Sequence, residues 1–222
     1  MSEYERTERT RVYRKPGRGQ YDREAVHSIL DEALVCHVGF VQDGQPYVIP
    51  TIHARDGETL YLHGANANRT FRILADGAPC CLTATLVDEL VLARAALHHS
   101  LNYRSVMVLG TAREVTDPEE KQRALRMVVE HIAPGRSDQV RGPSEVDLRS
   151  TKVLGMEIEE ASAKVRTGPP ADDDEDLELP YWAGRLPLTL GTGEPVPAPD
   201  LSGDLPVPDH VTGWSRRNGL RT

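Results

Sequence analysis

Apolar and polar residues alternate in short bursts between residues 34 and 165, and tight-turn signals separate the bursts. Ahead of them, Asp22 is placed to cap a helix reaching about Ala33, with Ala25, Val26, Ile29 and Leu30 on one face. The run LVCHVGFV predicts a strand, Asp43-Gly44 a turn, and Pro46 to Ala54 a second strand. Asp56-Gly57 marks the next turn and Thr59 to His63 a third strand, so this part reads as an antiparallel meander. A helix containing Arg69, Phe71, Ile73 and Leu74 opens after Gly64-Ala65-Asn66-Ala67-Asn68 and closes at Asp76-Gly77. Two strands, near Cys80–Val87 and Glu89–Ala93, precede a polar connection, and a long strand, Tyr103–Val115, follows it.

Asp117-Pro118-Glu119-Glu120 supplies a cap, a first-position proline and a third-position glutamate for a helix reaching His131. Pro134-Gly135 stops it, and a short helix near Glu145–Ser150 and a last strand, Val153–Val165, complete the pattern. Many short strands, tight turns and two or three helices predict a mainly β (α+β) fold, a small barrel with peripheral helices. An open α+β sandwich is the second choice. Connections this short exclude the crossovers of a doubly wound parallel sheet.

Composition changes the picture in three places. The formal charge of -8 argues against general affinity for nucleic acid or anionic membranes. Residues 6–18 are basic and read as a solvated arm, 1–20. After Thr167 the chain holds 9 of its 16 prolines and the acidic run Asp172–Asp176, so 167–222 reads as an extension of the 21–166 domain. Within it, LPYWAGRLPL is apolar enough to dock on the body or on a partner subunit. Cys36, Cys80 and Cys81 offer no paired framework or Cys-x-x-Cys spacing. With no apolar span or secretory signal, the expectation is a cytoplasmic protein with reduced, buried thiols.

Candidate chemistry concentrates in two segments. In LVLARAALHHSLNYRSVMVLG, the eight positions from His98 to Ser105 carry histidines, hydroxyls, an amide, a phenol and a guanidinium, with only Leu101 apolar. Asn102, Tyr103, Arg104 and Ser105 are donors suited to a flat heteroaromatic ring. In LYLHGANANRTFRIL a strand ends at His63-Gly64 and a helix starts beside Arg69, which suits one phosphate. Together the segments fit a nucleotide-like ligand with a polar ring, such as a flavin.

These two segments, with EEASAKVRTGPP and YWAGRLPL, resemble the pyridoxamine-5'-phosphate-oxidase-like FMN-binding split-barrel superfamily. The similarity is greatest to its flavin-nucleotide-binding branch, related to nitroimidazole-reductase-type proteins. The resemblance covers about residues 20–190 and implies a six-stranded antiparallel split β-barrel, bound FMN, and a homodimer with flavin sites at the interface. By position it implies that Val48, Ile49, Pro50, Thr51 and His53 line one side of the flavin. His63, Gly64, Asn68, Arg69 and Thr70 would lie near the ribityl phosphate. Arg104 and Ser105 would sit close to the ring or phosphate, and Lys164 and Arg166 would close the site, from this subunit or the other. The pattern departs from true vitamin B6 oxidases, whose Arg-Lys pair reads Arg69-Thr70 here and whose second-strand lysine is replaced by His53. That reaction is therefore not assigned.

Other reactive residues have plainer readings. His37 reads as a packed core residue, and Ser100 has no base and acid at triad spacing. His98-His99 as a metal or haem pair lacks supporting ligands, and neighbours in a strand face opposite ways. His63 divides between a structural and a proton-donating role. The expectation is a flavin-dependent oxidoreductase of a small molecule with no residue named as catalytic. The alternatives are a deazaflavin-dependent reductase and a non-catalytic flavin or haem binding module.

Overall fold

The computed structural model describes residues 2–201, 203 and 205–215. After a two-residue strand, β1 (Gly19–Gln20), Asp22 caps helix α1 (Arg23–Glu32) by accepting the Ala25 N–H at 2.8 Å. Val26, Ile29 and Leu30 form its buried face. Strands β2 (Cys36–Gln42) and β3 (Gln45–Thr51) pair up to Gln42↔Gln45. The two residues between them, Asp43 and Gly44, have φ of 52° and 77°, the doubly positive turn that Asp-Gly accommodates.

The second strand read from the sequence is broken. It leaves the sheet at Ile52, and His53–Asp56 forms a separate strand, β4, on the other side of the barrel with β5 (Thr59–Ala65). Helix α2 (Arg69–Ala75) follows. The two strands read between Cys80 and Ala93 are one, β6 (Pro79–Leu92), with a register shift between Val87 and Glu89. A bulge of this kind looks like a strand break in sequence because it upsets the alternation.

The polar connection is also mostly strand. β7 runs from Ser100 to Glu114 and pairs with β6 from Val91↔Ser100 onward. Helix α3 (Pro118–Ile132) starts at the Asp117 cap, and α4 (Glu145–Ser150) has the capping box between Ser144 and Asp147. The last strand divides into β8 (Thr151–Glu157) and β9 (Glu160–Arg166).

β7 is where the sheet forks. Its segment Tyr103–Leu109 pairs with β9, whereas Ala112–Glu114 pairs with β8. One branch continues to β5 and β4, and β9 pairs with β1. Gly110 lies at the fork. A Cβ there would stand 2.4 Å from the Glu157 carbonyl oxygen, so only glycine lets the two branches approach. The result is an antiparallel split barrel with its core between the branches. Val38, Leu82, Val108 and Ala161 form one inward row, joined by Leu60, Leu62, Leu154 and Met156 from the other branch.

The tail is held to this body. Asp172, with its side chain 1% exposed, accepts the Arg94 and Ala95 N–H groups at 2.9 and 3.2 Å. The acidic run is therefore not wholly a solvated stretch. Strand β10 (Gly184–Pro187) then pairs with Glu89–Leu92 of β6, while Tyr181 and Trp182 remain exposed. Near the end of the described chain, α5 (Asp209–Thr212) precedes Trp214, whose Nε1 donates to the Ile132 carbonyl at 2.8 Å. Residues 216–222 of the extension lie outside the described residues. No helix among the described residues is long and apolar enough to cross a membrane.

Candidate functional site

A small cavity opens where β3, β5 and α2 meet. Ile49, Pro50 and Thr51 from β3, His63 from β5, and Asn68 and Thr70 at the start of α2 line it. Its floor is apolar, with Val38, Leu62, Phe71 and Leu74 from the barrel core. Six of the predicted site residues thus meet in one place, though they come from segments twelve or more residues apart. Val48 stands beside them, well exposed on the outer face of β3.

Local geometry restricts what these residues offer. The Asn68 side chain accepts the Thr70 N–H at 2.9 Å, so one donor at the start of the seven-residue helix α2 is already taken. The Arg69 guanidinium lies over the Tyr47 ring, 4.8 Å from its centroid. Gly64 serves packing, because a Cβ there would meet the Phe71 ring at 3.1 Å. His63 has a buried Nδ1 with no hydrogen-bond partner, and burial pushes its pKa down. Its imidazole is therefore neutral at pH 7 and has a lone pair to give.

His53 is elsewhere. It is fully buried, its Nε2 lies 2.8 Å from the Leu30 carbonyl, and it lines no cavity near β3. Its ring centroid is 4.8 Å from that of His131, whose Nε2 lies 2.8 Å from the Ala33 carbonyl. The two rings close the C-terminal end of α1. Burial first, and then the neighbouring His131, lower the pKa of His53 to about 4. The strand break at Ile52 explains the separation from Thr51.

The residues of β7 divide between the two faces of the sheet, as strand geometry requires. Arg104 shares the inward side with Val106 and Leu86 and pairs with Glu32 and Asp88. Hydrogen bonds to Glu32 and then Asp88 push its pKa further up. Its donors serve these carboxylates rather than the β3 cavity. Ser105 faces outward, opposite Lys164 and Thr85 in the cross-strand ladder. Both line a wide groove between the sheet and the N-terminal arm, together with Thr83, Met107 and arm residues 9–14. Tyr103 and Arg166 are the next pair along that face. The Arg166 guanidinium donates to the Asn102 side-chain oxygen, and Asn102 also donates to Glu89 and to the Gly168 carbonyl. That cluster ties β7 to the start of the tail.

His37 is exposed on the outer face rather than packed in the core. His98 meets Asp173 at 3.2 Å, and Asp176 brings a third possible ligand atom within 4.8 Å of both, an arrangement invisible across 75 residues of sequence. The arm groove and His131 were also missed. The arginines at 9, 11 and 14 were visible, but only the fold reveals that they cover a sheet face.

The forked barrel has counterparts among known proteins. A family model described as Pyridoxamine 5'-phosphate oxidase matches residues 22–165. The chain belongs to the pyridoxamine 5'-phosphate oxidase family. A search of curated proteins returned no match. Among solved structures, the flavocytochrome Anf3 from Azotobacter vinelandii is 39% identical, with a TM-score of 0.86 over 94% of this chain and 97% of that one. The FAD and heme binding protein from Mycobacterium smegmatis is 33% identical, with a TM-score of 0.85 over 89% and 97%. A protein assigned to 5-nitroimidazole antibiotic resistance from Bacteroides thetaiotaomicron is 26% identical, with a TM-score of 0.58 over 66% and 86%. These similarities extend beyond the residues the family model matches, since the first two span most of the chain.

Proposed function

We propose that this chain is a flavin- and haem-binding redox protein. The observation that carries the proposal is His63: a neutral imidazole whose buried Nδ1 has no partner, on the wall of a cavity shared with the β3 residues. A buried polar atom without a partner calls for a ligand. A neutral histidine would hold haem iron and supply one-electron chemistry there, with the haem ring outside the cavity itself, which at about 100 Å³ is too small to enclose it. His53 Nδ1 and His210 Nε2 are also buried without a partner, but neither ring lines this cavity; the His53 and His131 rings cap α1, and His37 is exposed. Two relatives more than 30% identical over most of the chain carry flavin and haem in their names, which supports the same pairing here.

In this reading the flavin lies along Val48–Thr51, with Thr70 and Arg69 near its ribityl phosphate. When bound, the flavin accepts electrons in pairs and the haem one at a time. The protein positions them and excludes water. FMN, with one phosphate, is the flavin the sequence points to. The M. smegmatis relative carries FAD in its name. The protein works in the cytoplasm, where its buried free thiols Cys36 and Cys80 stay reduced. It pairs as a homodimer through the outer sheet face, where Val41 and Val48 are 59% and 65% exposed.

Purified protein, produced with haem precursor, tests this by its absorbance. Flavin bands and a Soret band are expected, and His63→Ala should lose the Soret band and keep the flavin. Absence of a Soret band from the unaltered protein refutes the haem assignment. Absence of flavin refutes the flavin assignment, and a His63→Ala protein with normal haem places the iron elsewhere.

A further inference from the structure

His98 has no companion ligand within its own segment, but the fold brings two from the tail. Its Nε2 lies 3.2 Å from an Asp173 carboxylate oxygen, and an oxygen of Asp176 joins them, with all three atoms within 4.8 Å of one another. Two ligands of a tetrahedral zinc ion, each about 2.0–2.1 Å from the metal, stand about 3.3 Å apart. The His98–Asp173 pair already has nearly that separation. Asp176 has to close in by no more than about 1.5 Å, within reach of a side-chain torsion.

Backbone hydrogen bonds set these donors in place. Asp174–Asp176 is a single 3-10 helical turn, in which the Asp176 N–H donates to the Asp173 carbonyl at 2.9 Å. Side chains three residues apart eclipse on such a turn, so Asp173 and Asp176 share one side of it. Ala96–His98 is a second such turn, with the His98 N–H donating to the Ala95 carbonyl at 3.1 Å. Asp172 fastens one turn to the other, because its buried carboxylate holds the Arg94 and Ala95 N–H groups.

The local charge calls for a cation. Six carboxylates crowd the stretch from Asp172 to Glu178. Arg94 meets Asp172 and His98 meets Asp173, but Asp174, Glu175, Asp176 and Glu178 have no ion pair among the described residues. Asp176 is half-buried all the same. A simple His98–Asp173 pair explains neither its burial nor its approach to the imidazole. The donor chemistry narrows the choice of ion. Calcium and magnesium take oxygen ligands, whereas an imidazole nitrogen with two carboxylates suits a first-row transition ion, and zinc binds such a set more tightly than manganese.

We propose that His98, Asp173 and Asp176 bind a divalent ion of the zinc type, with water in the fourth position, and that the ion clasps the tail to the connection between β6 and β7. The site is independent of the flavin and haem reading, since no residue of the β3 cavity takes part.

The experiment is titration of chelator-treated full-length protein with zinc, manganese and calcium ions, using the unaltered chain and the variants His98→Gln and Asp176→Asn. Thermal unfolding without metal confirms that each variant keeps the fold. Zinc is expected to bind most tightly, and each substitution should weaken it by roughly tenfold or more. Zinc should also slow proteolysis between Gly168 and Pro187 in the unaltered protein, and do so much less in either variant. No zinc binding, or zinc binding that both variants retain, overturns the site. Calcium preferred over zinc, with binding lost in Asp176→Asn and kept in His98→Gln, removes the imidazole and with it the zinc assignment. Zinc binding that depends on both residues but leaves proteolysis unchanged removes the clasp. If one variant fails to fold, the other, read against the same three ions, decides between these outcomes.

Discussion

Arg104 and Glu32 face each other in a two-point contact, with Arg104 Nη2 donating to Glu32 Oε1 at 2.9 Å while Nη1 reaches Oε2. Glu32 is the last residue of α1 and its side chain is only 4% exposed. Asp88 accepts from the same guanidinium at 2.8 Å, just at the register shift of β6. One side chain of β7 therefore fixes both the end of a helix and a bulge.

Arg104→Ala should act on stability before it acts on any ligand. It would take the two-point Arg104 contact away from the buried Glu32, a loss of about 3 kcal/mol. Denaturant unfolding of the flavin-free variant is expected to show that loss, with flavin affinity of the folded protein unchanged. Normal stability combined with weakened flavin binding would return Arg104 to the cofactor site.

His53 and His131 predict a pH dependence. The folded pKa of His53 is lowered from 6.5 to about 4, and that of His131 is lowered as well, in both cases first by burial. Between pH 6.5 and 4 the unfolded chain binds protons that the folded chain refuses. Stability is thus complete above about 6.5 and falls as the pH drops through that window. For His53 the full loss is on the order of 3 kcal/mol. Unfolding free energies at pH 7.5 and pH 5 should differ by a smaller amount in His53→Gln than in the unaltered protein. An equal difference in both would show that the pair does not titrate on unfolding.

The sequence and the fold agree most closely where a local signal is strong. Asp22 and Asp117 each start a helix at the expected place, the short helix near Glu145–Ser150 is present, and Asp43-Gly44 makes the expected hairpin. Ile49, Pro50, Thr51, His63, Asn68 and Thr70 meet in the β3 cavity because each lies in a short segment, one in the strand that ends at Thr51 and one running from the end of β5 to the start of α2. What failed was long-range. Whether Arg104 points inward or Ser105 does depends on a single-residue register, and the bulge between Val87 and Glu89 shifts the parity of that register. His53 looked continuous with Thr51, but the break at Ile52 sends it to another branch. The partner of each buried charge, Glu32 for Arg104 and Arg94 for Asp172, lies more than 70 residues away, where periodicity carries no information.

Gly110 is expected to tolerate no side chain. The Cβ of alanine would meet the Glu157 carbonyl at 2.4 Å, and that neighbour is backbone, which cannot swing aside. Gly110→Ala should therefore force the two branches apart and cost about 1–3 kcal/mol or more. A lowered melting temperature and faster amide exchange along Ala112–Glu114 would register it. An unaltered melt would mean that the fork has slack the geometry does not suggest.

Asp172 provides the last prediction, which concerns the tail. Its carboxylate takes two backbone N–H groups, at Arg94 and Ala95, and an Arg94 guanidinium donor at 3.2 Å. Three donors converge on one carboxylate here, so this is a firm attachment between body and tail. Farther along, β10 adds only four residues to the edge of β6, and its Leu186 remains half exposed. Asp172→Ala should thus release the segment from Gly168 to Pro187 while leaving the barrel folded. Limited proteolysis is expected to cut the variant within that segment much faster than the unaltered protein, with little change in barrel melting. Because Asn102 donates to the Gly168 carbonyl and Arg166 donates to Asn102, the loosened tail should also disturb the end of β9. Unchanged proteolysis would show that β10 alone holds the tail, and a collapsed melt would show that the tail belongs to the barrel's folding unit.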